Sequence, residues 1–194
     1  DFRYFKDVDL IGRIPIIGNA LNLWFRHGLY LGDYLENLLR ELLAAKVIFT
    51  FKDLVRKEYA SDHIRHYKLV VIATDVTRRK LLKLPHDFKE YGIDPDSMEV
   101  CKAVRMSSSL PFFFQPCKIH SRKTKKQQET YYLIDGGVLS NFPVWVFDND
   151  EVPLWPTFGF KVVETGGSET TKINNPFDLF KATLSTMLEA HDKI

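Results

Sequence analysis

The stretch YKLVVIATD, residues 67–75, constrains the fold of this chain more than any other segment. It is apolar and β-branched, and it stops abruptly at a polar residue. Such runs are typical of strands that are buried on both faces, as in the central sheet of an α/β domain. A second run, YYLID at residues 131–135, also ends on an aspartate and is predicted to be a strand.

Helical patterns alternate with these strands. In LGDYLENLLRELLAAK the leucines recur with the spacing of one helix face, and Asp33 and Lys46 lie where the helix dipole favours their charges. Asp94 and Pro95 are predicted to start a helix of about three turns that ends before Pro111. The other predicted elements are a short helix over 49–60, a strand over 156–164 and an amphipathic helix over 174–191.

Strands that alternate with helices predict an α/β fold with a mostly parallel sheet between helices. The length of 194 residues suits one domain, and we find neither a repeat nor a linker. The chain starts without Met and ends inside a helical pattern, so we expect residues 1–194 to be a single domain that is incomplete at both termini.

Charge and cysteine content exclude several classes of protein. The net charge of +2 gives no global field that would attract nucleic acid. Cys101 and Cys117 make neither a disulfide scaffold nor a metal motif, which favours a reducing, cytoplasmic setting. No apolar run is long enough to span a membrane.

Asp135 is followed directly by Gly136 and Gly137. Asp-Gly after a strand is a common turn signal, because glycine accepts positive φ. The segment SNFPV that follows does not return to an alternating strand, as a simple hairpin would. Ligands of open α/β sheets bind at the carboxyl ends of strands. Asp135 is therefore a candidate functional carboxylate as well as a candidate turn residue.

A second unusual stretch is AVRMSSSLPFFFQP, residues 103–116, in which a helix ends in three serines before Leu-Pro and three phenylalanines. Taken alone, it favours a helix that enters a core strand. Together with YLIDGGVLSNFPV, however, it resembles the patatin-like phospholipase family, in which A-x-x-A-S-x-x-x-P-x-x-F precedes D-G-G/A and N-x-P. VVIATDVT and GLYLGD are also similar to elements of that family. The match is strongest over residues 67–145.

The resemblance implies a three-layer patatin-like sandwich and a serine-dependent lipid acyl hydrolase that acts on phospholipids or other acyl esters. Asp135 would be the base of a Ser–Asp dyad, Gly136 and Gly137 would allow close approach to the serine, and no metal or cofactor would be required. The family's G-x-S-x-G serine motif does not occur in this chain. We therefore expect the nucleophile upstream of Asp1. The alternative is a non-catalytic lipid- or protein-binding module.

Free aspartate has a pKa near ~3.9 and is a poor base at neutral pH. A dry apolar pocket would raise that pKa. Phe112, Phe113 and Phe114 are candidates for the walls of such an acyl pocket. The apolar segment 1–30, with Trp24 and Phe25, is either an entry for acyl chains or ordinary core.

Three further readings stay open. One of Ser107, Ser108 and Ser109 could form a triad with Asp135 and His191, although no glycines flank these serines. His63 and His66 have metal-ligand spacing but lack partners that would complete a site, so a solvated helix is favoured. A basic loop is either solvated or a peripheral contact to anionic lipid headgroups. Its residues are Lys118, Arg122, Lys123, Lys125 and Lys126.

Overall fold

The computed structural model describes residues 7, 27–60, 65–121, 129–140, 142–148, 156–161, 173, 178, 182–183 and 185–186. The chain divides into two compact units, Asp1–Gly136 and Gly137–Ile194.

A four-stranded sheet dominates the first unit. Its strands are β2 (Val71–Asp75), β3 (Lys80–Leu84), β5 (Cys117–His120) and β6 (Thr130–Asp135), in the order β3-β2-β6-β5. All three pairings are antiparallel. The inner strand β2 is buried from Ile72 to Asp75, as its apolar sequence predicts.

A separate pair of short strands joins distant parts of the sequence. β1 (Gly28–Tyr30) runs parallel to β4 (Phe112–Phe114), with Gly28 opposite Phe112. A Cβ atom on Gly28 would lie 2.5 Å from the backbone nitrogen of Gln115, so only glycine permits this approach.

The expected α/β class is confirmed. The expected mostly parallel arrangement is not found in the four-stranded sheet, which is antiparallel; among the described strands, parallel pairing is found in β1–β4. The reason is that β2 and β3 are joined by only residues 76–79, and a connection this short reverses the chain direction. β5 and β6 likewise form an antiparallel hairpin around the basic loop, of which residues 122–128 lie outside the described part.

Helix α1 (Asp33–Ala44) confirms the helix predicted from the leucine periodicity, although four of its five leucines are only partly buried and Leu42 is exposed. Asp33 and Glu36 occupy its first turn, where the helix dipole favours negative charge. The helix begins after Gly32, which has a φ of 82°. Asp7 accepts hydrogen bonds from the amides of Gly32 and Tyr34 at 2.8 Å, so its carboxylate satisfies two amides at the helix start.

The single helix expected after Asp94 was wrong in one respect. Asp94 does accept a hydrogen bond from the Asp96 amide, but the turn it caps ends at Ser97. The backbone is extended at Met98 and Glu99, and helix α2 (Val100–Ser107) begins only afterwards. The interruption has a tertiary cause, because Glu99 forms a β-bridge with Thr50.

Two other elements differ from the sequence predictions. Residues 49–60 contain two short 3-10 turns, Phe51–Leu54 and Lys57–Tyr59, separated where Val55 bridges to Tyr67. Residues 156–161 have no regular structure. The predicted helix over 174–191 lies mostly outside the described residues, and the five described positions within it are helical.

The core of the first unit lies where α2, the four-stranded sheet and the turns around them meet. Its fully buried side chains are mainly large and apolar. They include Phe51, Leu82, Leu84, Phe88, Tyr91, Val100, Ala103 and Leu133.

In the second unit, a 3-10 turn (Val144–Phe147) and the segment 156–161 carry several exposed aromatic side chains. Trp145 Nε1 donates to Ser140 Oγ at 3.2 Å, and Gly159 lies against the ring of Phe142. Across the described residues of the whole chain, no helix has both the length and the apolarity to cross a membrane.

Candidate active site

Asp135 is the last residue of β6, at the carboxyl end of an inner strand of the sheet. It lies opposite Ala73 of β2, so the two side chains share one face. Ala73 is fully buried and has the smallest side chain that still carries a Cβ, and Asp135 is half-buried. The Asp135 amide donates to the carbonyl oxygen of Ser109 at 3.0 Å.

Gly136 follows at a point where no side chain fits. A Cβ atom there would lie 2.5 Å from the carbonyl oxygen of Ile72 and 2.6 Å from its side chain. The backbone after Asp135 is thus pressed directly onto β2. Gly136 begins a 3-10 turn that includes Gly137, the first residue of the second unit. The first of the two predicted motif glycines therefore has a packing role of its own.

The serine-rich end of α2 is tied into the backbone. Ser109 is fully buried, and its hydroxyl donates to the Arg105 carbonyl oxygen at 2.8 Å. Ser108 donates to the Val104 carbonyl oxygen at 2.9 Å. Both hydroxyls thus satisfy carbonyl groups near the helix end. Of the residues considered for the internal triad, Ser109 is fully buried and His191 lies outside the described residues.

Arg105 is the residue of this region that sequence reasoning missed. It is only 3% exposed, and its guanidinium donates to the Ser109 hydroxyl and to the carbonyl oxygens of Leu31, Gly32 and Gln115. The available signal was a charged residue between Val104 and Met106, inside a helix that is otherwise mostly apolar. Its partners could not be read from local sequence, since two of them lie more than 70 residues away.

The three phenylalanines predicted to line an acyl pocket have different surroundings. Phe114 is 8% exposed, and the Arg105 guanidinium carbon lies over its ring, 4.9 Å from the ring centre. Phe113 packs against Tyr30 with ring centres 4.8 Å apart. Phe112 is 41% exposed and has a φ of 65°, a conformation that is rare for a bulky side chain.

Asp75, which ends β2, has a structural environment. Its fully buried carboxylate accepts hydrogen bonds from the amides of Thr77 and Arg78, the guanidinium of Arg78 and the hydroxyl of Tyr91. Burial raises the pKa of Tyr91, and its hydrogen bond to Asp75 raises that pKa further. Asp75 therefore closes the β2–β3 turn.

A group of possible metal ligands lies between α1 and the start of α2. Atoms of Glu36, Glu99 and Cys101 lie within 4.8 Å of one another. Arg40 is 2.6 Å from Glu36 and 3.1 Å from Glu99, and Lys102 also pairs with Glu99. Arg40 and Lys102 thus already form ion pairs with these carboxylates. Burial raises the pKa of the Cys101 thiol. Of the predicted histidine pair, His63 lies outside the described residues.

Two sequence comparisons relate this arrangement to known proteins. The Patatin-like phospholipase family matches residues 1–148. The protein named "Uncharacterized protein YqhO" of Bacillus subtilis (strain 168) is 38% identical over 173 residues, which are 89% of this chain and 54% of that protein. The chain thus spans about half the length of this curated relative. With most of its length matched and Asp135 and its glycines inside the match, the chain belongs to the patatin-like phospholipase family.

Proposed function

We propose that this chain supplies the base of a serine-dependent lipid acyl hydrolase, with Asp135 as that base. The observation that carries the proposal is the position of Asp135 at the end of β6, beside the small side chain of Ala73 and before the closely packed Gly136. An aspartate whose main chain is fixed in this way and is followed by glycine can be approached closely by a nucleophile. Membership of a family of lipid acyl hydrolases supports the same conclusion.

In the proposed reaction, the serine of a G-x-S-x-G motif outside this chain attacks the ester carbonyl. Asp135 takes the serine proton and returns it to the leaving alcohol, which leaves an acyl-serine. Water then attacks the acyl group, Asp135 takes a proton from that water, and the proton passes to the serine as the fatty acid leaves. The substrate is a phospholipid or another acyl ester.

The accessible part of the phenylalanine run supports an apolar substrate. Phe112 is partly exposed and Phe113 half-buried, so these two rings are available to contact an acyl chain. Phe114 would contribute from beneath, as part of the wall. Lys118, exposed on β5 at the start of the basic loop, would favour a peripheral contact with anionic headgroups.

The test is Asp135→Asn in the full-length protein, with hydrolysis of a short-chain ester and of phospholipid vesicles as readouts. We expect turnover to fall by about 10²- to 10⁴-fold, the usual contribution of a general base. Asp33→Asn, on the exposed face of α1, is the matched control and should retain turnover. Wild-type turnover in Asp135→Asn would overturn the assignment of the base.

Fluorophosphonate labelling with peptide mapping separates the alternatives. A label on a serine in a Gly-x-Ser-x-Gly peptide supports the proposed dyad. A label on Ser107, Ser108 or Ser109 would instead support the internal triad. Absence of label on the full-length protein, together with binding of lipid vesicles, would identify a non-catalytic lipid-binding module.

A further inference from the structure

We propose that Arg105 is a positioning residue for Asp135. It fixes the backbone at Ser109, whose carbonyl oxygen accepts the hydrogen bond from the Asp135 amide. This inference rests on the proposed function, because it assigns a role in the reaction that Asp135 would assist. It concerns a residue on α2 that touches none of the reacting atoms.

Arg105 joins the start of α1, more than 70 residues away in sequence, to the end of its own helix and to Gln115. Nη2 donates to the Leu31 carbonyl oxygen at 2.6 Å and to the Gln115 carbonyl oxygen at 3.1 Å, while Nε donates to the Gly32 carbonyl oxygen at 3.1 Å. Nη1 donates to Ser109 Oγ. These bonds reach from the start of α1 to the end of β4. Among the described residues, no carboxylate forms an ion pair with Arg105, so backbone dipoles and one hydroxyl stabilise its charge.

The segment at Gly32 is shaped around this guanidinium. A Cβ atom on Gly32 would lie 2.2 Å from Arg105 Nε, and the φ of 82° also favours glycine. Asp7 holds the same backbone from the other side by accepting a hydrogen bond from the Gly32 amide. The main chain at this point is therefore fixed through both its amide and its carbonyl group.

Ser109 connects the network to the proposed base. Its hydroxyl accepts a hydrogen bond from Arg105, and its carbonyl oxygen accepts the hydrogen bond from the Asp135 amide. A shift of Ser109 would therefore move one of the backbone contacts that hold Asp135. Misplacement of a catalytic group by about 1 Å can cost roughly 10²-fold in rate.

The geometry also explains why this residue is an arginine. A planar guanidinium with five N–H donors can reach four acceptors in different directions, whereas a lysine ammonium has three donors on a compact head. Arg105→Lys keeps the charge and loses part of the network. It is therefore a more informative variant than alanine, which would leave a cavity and several unsatisfied carbonyl groups.

The experiment compares Arg105→Lys with wild type in the full-length protein. Two readouts are measured: kcat and KM for a soluble short-chain ester, and hydrogen exchange of the Asp135 amide by NMR. We expect kcat to fall at least tenfold with KM within twofold of wild type, and the Asp135 amide to exchange at least tenfold faster. Arg78→Lys is the matched control, since Arg78 is bound to Asp75 in the β2–β3 turn. It should leave kcat and KM unchanged, and the Asp135 amide should exchange faster only by the factor that the loss of global stability accounts for.

Ser109→Ala keeps the test decisive if Arg105→Lys does not fold. It removes the hydroxyl contacts and leaves the carbonyl group that accepts from Asp135. We expect a smaller fall in kcat, of about three- to tenfold, with fluorophosphonate labelling retained.

The two proposals fail in different ways. Wild-type exchange at Asp135 in folded Arg105→Lys, or an equal change in Arg78→Lys, would overturn the positioning role. Because exchange does not depend on turnover, this holds even for an inactive protein. Accelerated exchange in a wild-type protein that neither hydrolyses esters nor takes the label would leave the structural link intact and overturn the proposed function.

Discussion

Thr74 is a buried residue whose hydroxyl has no hydrogen-bond partner within the described part of the chain. It lies on β2 between Ala73 and Asp75, opposite Ile134. An unsatisfied buried hydroxyl costs about 1–3 kcal/mol. The unsatisfied Thr74 hydroxyl therefore lowers the free energy of unfolding.

We expect Thr74→Val to raise the free energy of unfolding by about 1 kcal/mol, because valine has nearly the same shape and leaves no unsatisfied group. Urea denaturation of the purified protein measures the change. Thr77→Val is the control and should lower stability, since the Thr77 hydroxyl accepts a hydrogen bond from the Tyr132 amide at 3.0 Å. A loss of stability in Thr74→Val would show that this hydroxyl is satisfied in solution.

Gly136→Ala should destabilise the protein by about 1–3 kcal/mol, the usual cost of forcing an extra group into a packed site. The added Cβ would meet the Ile72 carbonyl oxygen on β2, which cannot move without distorting the strand. Thermal unfolding measures the effect. Gly159→Ala is a milder control, since its Cβ would meet the far end of the Phe142 ring, which can turn aside. Equal losses in the two variants would contradict this account.

Between elements, the contact of α1 with the start of α2 depends on charge. Hydrogen bonds from Lys102 and, to a smaller extent, Arg40 lower the pKa of Glu99. A carboxyl group whose pKa is lower in the folded than in the unfolded chain stabilises the fold above its unfolded pKa. That contribution is lost as the pH falls through the lower, folded value.

Glu99→Gln should therefore be less stable than wild type at pH 7, and the difference should shrink as the pH falls below about 4.3, the ordinary pKa of glutamate. Urea midpoints measured at several pH values test this. Glu41→Gln, exposed on α1, serves as the control. A stability difference between Glu99→Gln and wild type that stays constant down to pH 3 would rule out the charge-dependent contact.

Sequence patterns predicted those elements whose signal is local. The β-branched run of β2, the leucine spacing of α1 and the Asp94 cap all depend on neighbouring residues. The break before α2 was not predictable in this way, because it depends on the bridge from Glu99 to Thr50. In the candidate site, Asp135 and its glycines were predictable because they form a short local motif. The role of Arg105 was not predictable, because it depends on hydrogen bonds to the carbonyl oxygens of residues 31 and 32.

At the scale of the whole molecule, the proposed function requires a nucleophile that lies outside this chain. The 194-residue chain contains no G-x-S-x-G motif, and it spans about half of its Bacillus relative. We expect the isolated chain to show no esterase turnover and no fluorophosphonate label, while the full-length protein shows both. Labelling of the isolated chain would contradict the proposed dyad.

The reach of Arg105 has a consequence for the order of folding. Its bonds to Leu31 and Gly32 close loops of 74 and 73 residues, whereas the β2–β3 hairpin needs only its four-residue turn. Closing long loops costs more chain entropy, so contacts of high sequence separation tend to form late. The Arg105 guanidinium remains hydrated until these carbonyl acceptors are in place. We therefore expect the contacts of Arg105 with Leu31 and Gly32 to form after the β2–β3 hairpin, and a chain stalled before that step to keep a hydrated cation where the folded protein has an interior.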